Sequence, residues 1–474
     1  MTLQRGRHME KAALKKKGLV GIIVTVVILI ISLYMPVPQG STRLGWVSLA
    51  VFLGAILMWI CDSLPMCVTA FIMMFIMPAL GVMDLNTVYA TFGGSAFFFA
   101  IATFFVSIAL EKTSVPLRIC YALIKWSNGN PRKLVIALFL ACGLTSSVMS
   151  NLSSCIIFLS LSLALLKANN CEPLKSNLGR CLMIGVPASA GIGGLITPAG
   201  TPGNLLIMDI LANSAKIEIS FTQWTLLFAP LAIFTILLCG IWTTFVFKPE
   251  KVEDSAIRTL NEKLSESGKL KIDEIKTILI ILAMLVCWLL GTWISVLNVT
   301  VVAIVGMTLL FFPGIQVITW DEAVKKTNWN LAFTIGSVSV LIGGMTSTGI
   351  MDWIVNGLFS GITGWSLPLM FLVIGLIVEV IRAFIPTAPA IAALFGAPLI
   401  SLAAITGASP VALLMIPAFW ACSPMLLWIE PIFLFSYGYG YYKPQDVLKF
   451  GIVPSIILIA LMSFTPYYVG LLGL

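Results

Sequence analysis

Histidine occurs once in this 474-residue chain, at position 8 in a basic tail, which excludes a proton relay or metal site built on histidine. Charge is nearly as scarce, since Asp, Glu, Lys and Arg together make up 10% of the residues. Ordinary soluble domains carry about 25%, so this chain lacks the polar surface to cover a water-facing globule. The ten cysteines form no CxxC pair and lie mostly inside apolar segments, where thiols behave as small hydrophobes. With no Ser/His pair and no His/Asp/Glu cluster at membrane depth, the parts of a membrane-embedded enzyme are missing.

What is present is hydrophobic: 59% of the residues are apolar by the AVILMFWYC count. A helix needs about 20 apolar residues to cross hydrocarbon. Such runs recur at 18–36, 44–60, 66–83, 92–110, 182–210, 224–247, 275–294, 297–313, 330–350, 409–436 and 451–473. Two further apolar blocks, 134–166 and 367–405, are interrupted. The expected fold is an all-α polytopic membrane protein of about eleven transmembrane helices plus two re-entrant hairpins. Barrel strands would instead give short alternating segments. The basic start followed by an apolar stretch looks like a signal peptide, but no small-residue cleavage site follows, and residues 1–37 read as a tail and first helix.

The distribution of Lys and Arg tests the topology. With the N-terminus cytoplasmic, inner segments hold 25 of the 28: 6 before the first helix, 5 in 111–133, 3 in 167–181, 7 in 248–276, 2 in 314–328 and 2 in 441–449. Arg43 and Lys216 fall outside and Arg382 within the membrane, while Asp62 is interfacial. The net charge of +8 thus reflects membrane orientation, and nothing points to nucleic acid. Segment 248–276, with seven basic and seven acidic residues, reads as a solvated cytoplasmic linker between the halves 38–247 and 277–474.

The halves resemble each other: "TFGGSAFFFAIATFFVSIALEKTSV" (91–115) has a counterpart in "TIGSVSVLIGGMTSTGIMDWIV" (334–355). Each half continues through a short amphipathic piece, an interrupted block, a helix broken by proline and a last helix. Five spans per half make the second an inverted repeat of the first, the plan by which secondary transporters place a site near the bilayer midplane. The stretch "GGLITPAGTPGNLL" (193–206) breaks its backbone inside an apolar span. Broken backbone at that depth is tolerated where protein buries it or a water-filled cavity receives it. It then offers carbonyls to a cation and helix-start N–H groups to an anion. A simple kink needs only one proline. In block 134–166 two apolar arms, each short for a span, flank the tip "TSSVMSNLSS". Ser146, Ser147, Ser150, Asn151 and Ser153 there supply neutral oxygens suited to an exchangeable monovalent cation; the alternative is a polar helix–helix interface.

"SN" at the tip (Ser150, Asn151), followed in the next span by "TPAGTPGN" (197–204), resembles the divalent anion/sodium symporter family of di- and tricarboxylate and sulfate carriers. "YGYGYYKPQDVLKFG" (437–451) resembles its closing segment. The resemblance implies a homodimer whose mobile domain carries substrate in an elevator-like motion, with sodium sites at both hairpin tips. It implies a first sodium site of Ser146, Ser150, Asn151 and the backbone of Ala199 and Gly200. Substrate contacts would come from Ser150, Asn151, Thr201, Pro202 and Asn204. Leu152 stands where the family's Ser-Asn-Thr pattern has Thr. In the second half, "VEVIRAFIPTAPAIAALFGAP" (378–398) and "IEPIF" (429–433) replace the neutral motifs, leaving Thr387 as the obvious hydroxyl and introducing Arg382 and Glu430.

Charges at membrane depth cost about 3 kcal/mol or more each and must face protein or water. Glu379 and Arg382, three apart, have the spacing of a pair on one helix face. Alternatively, Arg382 provides fixed positive charge for an anionic substrate in place of sodium, or pairs with Glu430 across the two broken elements. Glu379 and Glu430 are the groups a coupling proton would use. The expected function is secondary active transport of small divalent organic anions. Succinate, malate and 2-oxoglutarate are favoured by the resemblance, moved by sodium symport or anion exchange across the plasma or inner membrane. Anion efflux or sodium/proton antiport is the alternative. No cofactor is expected beyond sodium as coupling ion.

Overall fold

In the computed structural model, residues 2–61, 63–253, 269–291, 293–294, 296–359, 361, 364–382, 385, 388–423, 425–426 and 430–474 are described. Asp62, Thr387 and most of the 248–276 linker lie outside them. The regular structure of the described residues is helical, with no strand among them. Eight segments are long and apolar enough to cross a membrane: Lys17–Tyr34, Arg43–Ile60, Leu85–Glu111, Asn151–Ala168, Phe221–Phe247, Trp329–Ser347, Ala388–Thr406 and Pro444–Met462. Met66–Ala79, Val299–Leu309 and Pro410–Cys422 are shorter apolar helices.

The first half runs α1 (Thr2–Tyr34), α2 (Arg43–Ile60), α3 (Met66–Ala79), α4 (Leu85–Phe92), α5 (Ser95–Glu111), α6 (Val115–Ser127), α7 (Pro131–Ser146), α8 (Asn151–Ala168), α9 (Asn177–Gly193), α10 (Pro202–Ile210) and α11 (Phe221–Phe247). The second runs α12 (Ile272–Leu290), α13 (Val299–Leu309), α14 (Trp320–Lys326), α15 (Trp329–Ser347), α16 (Ile350–Phe359), α17 (Leu367–Arg382), α18 (Ala388–Thr406), α19 (Pro410–Cys422), α20 (Pro431–Tyr437), α21 (Pro444–Met462) and α22 (Thr465–Leu471). The block at 134–166 becomes α7 and α8, and the one at 367–405 becomes α17 and α18. The arms are longer than their apolar runs: α8 and α18 are each long enough to cross. Helix α7 also takes in Pro131, with Asn130 Oδ1 accepting the N–H groups of Arg132 and Lys133. Likewise the last helix starts at Pro444, ahead of its apolar run, where the Lys443 N–H donates to Asp446 Oδ2 at 2.9 Å.

Large apolar side chains lie exposed along α1, α12 and α21, among them Val20, Ile23, Leu279, Leu282, Val286 and Ile456. Contiguous apolar surface of that kind belongs against lipid. Inside, small residues bring backbones together. A Cβ added at Gly193 would lie 2.2 Å from Gly143 O, so α7 and α9 cross in near-contact. The start of α9 is anchored from the far end of the first half, because the Glu250 carboxylate accepts the N–H groups of Asn177 and Leu178. An acid at a helix start also favours the positive end of the macrodipole.

Among the described residues two large apolar clusters form the interior, beside a third made by Met74, Val88 and Val340. The smaller joins α5, α12 and α13 with Leu205 and Phe221; the larger gathers α2, α3, α7–α11 and most of the second half. Phe221 stacks on Trp288 at 4.3 Å between ring centroids, tying the start of α11 to the end of α12. Helix α10 touches α5, α15 and α18, and so sits on the seam between the clusters.

Candidate functional site

Each half has a break where its hairpin turns and another inside its proline-bearing helix. In the first half α7 ends at Ser146 and α8 begins at Asn151, while α9 ends at Gly193 and α10 begins at Pro202. Residues 194–201 run without regular structure between them, so their polar backbone atoms need partners. Asn204 supplies two: its Nδ2 donates to Gly194 O and to Thr197 O, each at 2.8 Å. Trp224 Nε1 donates to Leu195 O at 3.0 Å, and the Thr197 hydroxyl donates to Ser147 O at the hairpin tip.

The two breaks are interlocked. A Cβ at Gly194 would fall 2.3 Å from Asn151 Oδ1, and one at Gly200 would fall 2.3 Å from Gly194 O. Glycine is required at both by close approach. Ser146 Oγ, fully buried, lies 2.8 Å from Asn151 Oδ1 and 2.7 Å from Ala190 O. A hydroxyl carries one proton, so these three oxygens share a single donor hydrogen. In the adjoining residues Thr145 Oγ1 and Ser189 Oγ are buried without a partner. An oxygen cluster short of hydrogens suits a monovalent cation; of the residues expected for sodium, Ser146 and Asn151 stand in it.

In the second half α17 ends at Arg382 and α18 begins at Ala388, while α19 ends at Cys422 and α20 begins at Pro431. Arg382 has crossed to the other break. Its NH2 nitrogen stands 3.1 Å from Glu430 Oε1, its Nε donates to Trp420 O at 3.2 Å, and its NH1 donates to Ile385 O at 2.7 Å. The helix-face pair expected from spacing is not the ion pair formed, because Glu379 accepts the Ser455 hydroxyl of α21 at 3.2 Å.

The halves meet at these breaks. A Cβ on Gly203 would touch Ala388 Cβ at 3.2 Å, Cys422 Sγ approaches Asn204 Oδ1 at 3.6 Å, and α20 packs on α8 and α9. Between them lies a cavity of about 590 Å3, bordered by Ser150–Ser153, Ala199–Pro202, Ala388, Pro389, Glu430 and Ile432. Helices α8, α10, α18 and the short α20 all begin on its wall. Helix starts present unpaired N–H groups and partial positive charge, so their convergence favours an anion.

The expected residues therefore divide. Ser150, Asn151, Ala199, Gly200, Thr201, Pro202 and Glu430 line the cavity. Ser146, Asn204, Glu379 and Arg382 stand behind its wall. The opposite wall was not foreseen: Thr103, Ser107 and Glu111 of α5, with Lys326 and Asn330. Ser107 Oγ accepts the Ser150 N–H at 2.9 Å, and Glu111 accepts the Ser153 hydroxyl. Thr103, Ser107 and the terminal Glu111, spaced at fours along a mostly apolar helix, were the sequence signal for the α5 part of that wall. A second cavity, of about 680 Å3, lies toward the Ser95 end of α5, and Leu205 lines both.

Residues 16–473 match the family described as "Sodium:sulfate symporter transmembrane region". The chain belongs to the divalent anion/sodium symporter family. It is a multi-pass membrane transporter and not an enzyme. This symporter-family chain is 24% identical over 477 residues to the "Sodium-dependent dicarboxylate transporter SdcS" of Staphylococcus saprophyticus, covering 95% of this chain and 91% of that one. The protein of the same name from Staphylococcus aureus (strain USA300) is 24% identical over 478 residues, with the same coverage. Among solved structures, Neisseria gonorrhoeae MtrF shares the fold at a TM-score of 0.60 and 15% identity, covering 94% of each chain. The Alcanivorax borkumensis YdaH transporter does so at 0.53 and 13%, covering 89% of this chain and 98% of that one.

Proposed function

We propose that the protein carries small divalent organic anions, of the C4 and C5 dicarboxylate class, together with sodium. The observation behind this reading is the cavity on which four helix starts from both halves converge. Its charged lining residues are Glu111, Lys326 and Glu430 among those described, an unfavourable balance for a dianion. Lys326 is also committed to Glu322 at 3.2 Å. A cation bound at the neutral oxygens of Ser146, Ser150 and Asn151, with the Ala199–Gly200 backbone, supplies the missing positive charge. The helix starts then hold the carboxylates, with Ser150, Asn151, Thr201 and Pro202 at the contact. That dependence of anion on cation is what symport requires.

The cavity is far larger than a sulfate ion needs, which favours a dicarboxylate, and the relatives named for dicarboxylates agree. The position of the cavity on the seam between two apolar clusters supports alternating access by movement of one body past the other, in an elevator-like manner. We further propose that the chain works as a homodimer in the plasma or inner membrane with its N-terminus cytoplasmic, and that the halves are inverted repeats.

The test is uptake of labelled succinate into proteoliposomes under an inward sodium gradient, with choline as control. Sodium-dependent uptake, competed by malate and 2-oxoglutarate, is expected. Uptake indifferent to sodium but requiring internal dicarboxylate would replace symport by exchange.

A further inference from the structure

The guanidinium of Arg382 lies among oxygens of two different broken segments. Trp420 O closes α19, Ile385 O belongs to the stretch between α17 and α18, and Glu430 precedes α20. The side chain is 2% exposed and does not reach the cavity wall. Glu430 does line the cavity, and its Oε2 is buried with no hydrogen-bond partner. Around one positive group there are thus two backbone carbonyls and a carboxylate with an oxygen to spare. Glu379, the acid on α17, is turned toward Ser455. Carbonyls at helix breaks together with a carboxylate are the ligands that hard monovalent cations take when bound by protein.

The first half closes its equivalent junction differently. There Ser146, Asn151, Thr197 and Asn204 make the bridging bonds, all with neutral groups; buried hydroxyls without partners occur at both junctions, Thr145 and Ser189 at the first and Ser423 at the second. One junction is bridged by neutral groups alone, and the other by a side chain that carries its positive charge permanently.

We propose that Arg382 is a tethered cation filling a latent cation site formed by Trp420 O, Ile385 O and the Glu430 carboxylate. Removing the guanidinium while keeping Glu430 leaves that carboxylate buried and unpaired, so it must take up a proton or a cation, and the carbonyls of Trp420 and Ile385 give sodium the ligands to compete. The consequence for transport rests on the sodium-coupled reading above: only the first half exchanges a cation with the medium, so uptake is first order in sodium.

The site itself is tested without substrate. Thermal unfolding of the purified wild type, Arg382→Lys, Arg382→Ala and the double variant Arg382→Ala/Glu430→Gln is followed in sodium chloride and in choline chloride at equal ionic strength. Arg382→Ala is expected to melt several degrees lower in choline and to recover more than half of that loss in sodium, a steeper response than the wild type shows. Arg382→Lys keeps the positive charge and the neutral double variant removes the need for it, so both are expected to follow the wild-type sodium slope. An Arg382→Ala protein no more sodium-sensitive than wild type, or a double variant equally sensitive, would overturn the proposal. If Arg382→Ala does not fold, the sodium order of wild-type uptake decides, with first order supporting the tethered cation and second order refuting it. Sodium-independent wild-type uptake would defeat the symport reading alone and leave the melting comparison to judge the site.

Discussion

The amide of Asn151 lies directly over Gly194, leaving no room for a methyl group: a Cβ built there would sit 2.3 Å from Oδ1 and 2.9 Å from Nδ2. Hairpin tip and helix break are therefore one unit, and shifting either moves the other. Gly194→Ala is expected to push Asn151 off Ser146 and to cost about 1–3 kcal/mol, the usual penalty for overpacking. Differential scanning fluorimetry with and without sodium checks it. The substitution should lower the melting point and also abolish any sodium-dependent rise.

Ser150 is fixed by its main chain, since its N–H rather than its hydroxyl donates to Ser107 Oγ. Ser150→Ala should leave the sodium-free melting point within about 0.5 kcal/mol of wild type, as for substitutions that break no contact. Its sodium response should nevertheless disappear, as should that of Asn151→Ala. Retention of full sodium response by both variants, with uptake intact, would displace the cation from this tip.

Asn204 never touches the cavity, yet transport should depend on it. Asn204→Ala strands the carbonyls of Gly194 and Thr197, at about 1–3 kcal/mol for each buried group left unsatisfied. The expected result is a lower melting point together with loss of succinate uptake. Unchanged uptake would show that the 194–201 segment holds its shape without the amide.

Just past the end of α5, Lys112 Nζ lies 2.9 Å from Glu322 Oε2 and donates as well to Val317 O. The hydrogen bond from Lys112 holds the Glu322 carboxyl below its ordinary value of 4.5, with Lys326 adding to the effect. A lowered carboxylate contributes stability above its unfolded value and loses it as pH falls through the folded one. The tie between α5 and α14 should thus be intact at neutral pH and fail only below about pH 4.5. Melting points from pH 7 to pH 3 should fall less steeply in Glu322→Gln than in wild type. Equal slopes would show that the bridge is unimportant.

Most of the architecture could be read from the chain because lipid imposes a simple rule: long apolar runs are helices, and interruptions need a reason. The two breaks announced themselves through residues that only an irregular backbone uses, such as Gly194, Pro198, Gly200 and Pro202 in the first half. Partner choice was less legible. Spacing favoured Glu379 for Arg382, whereas the fold brings Glu430 from 48 positions away to the end of α17, and no local signal encodes that meeting. Roles were blurred for a related reason. Asn204 was expected at the substrate because the resemblance implied it, but a helix start shows its polar side chains to whatever lies nearest, and here its amide reaches the broken backbone itself. The wall formed by Ser107, Glu111 and Lys326 stayed hidden since its helices pack against the tip from elsewhere in the sequence.

Leu205 borders both large hollows, one reaching toward each end of α5. A voltage falls where the insulator is, so if the two hollows fill with water from opposite sides of the bilayer, the potential drops across the layer that Leu205 belongs to. A charge crossing that layer would then do electrical work of about 2.3 kcal/mol for each elementary charge per 100 mV.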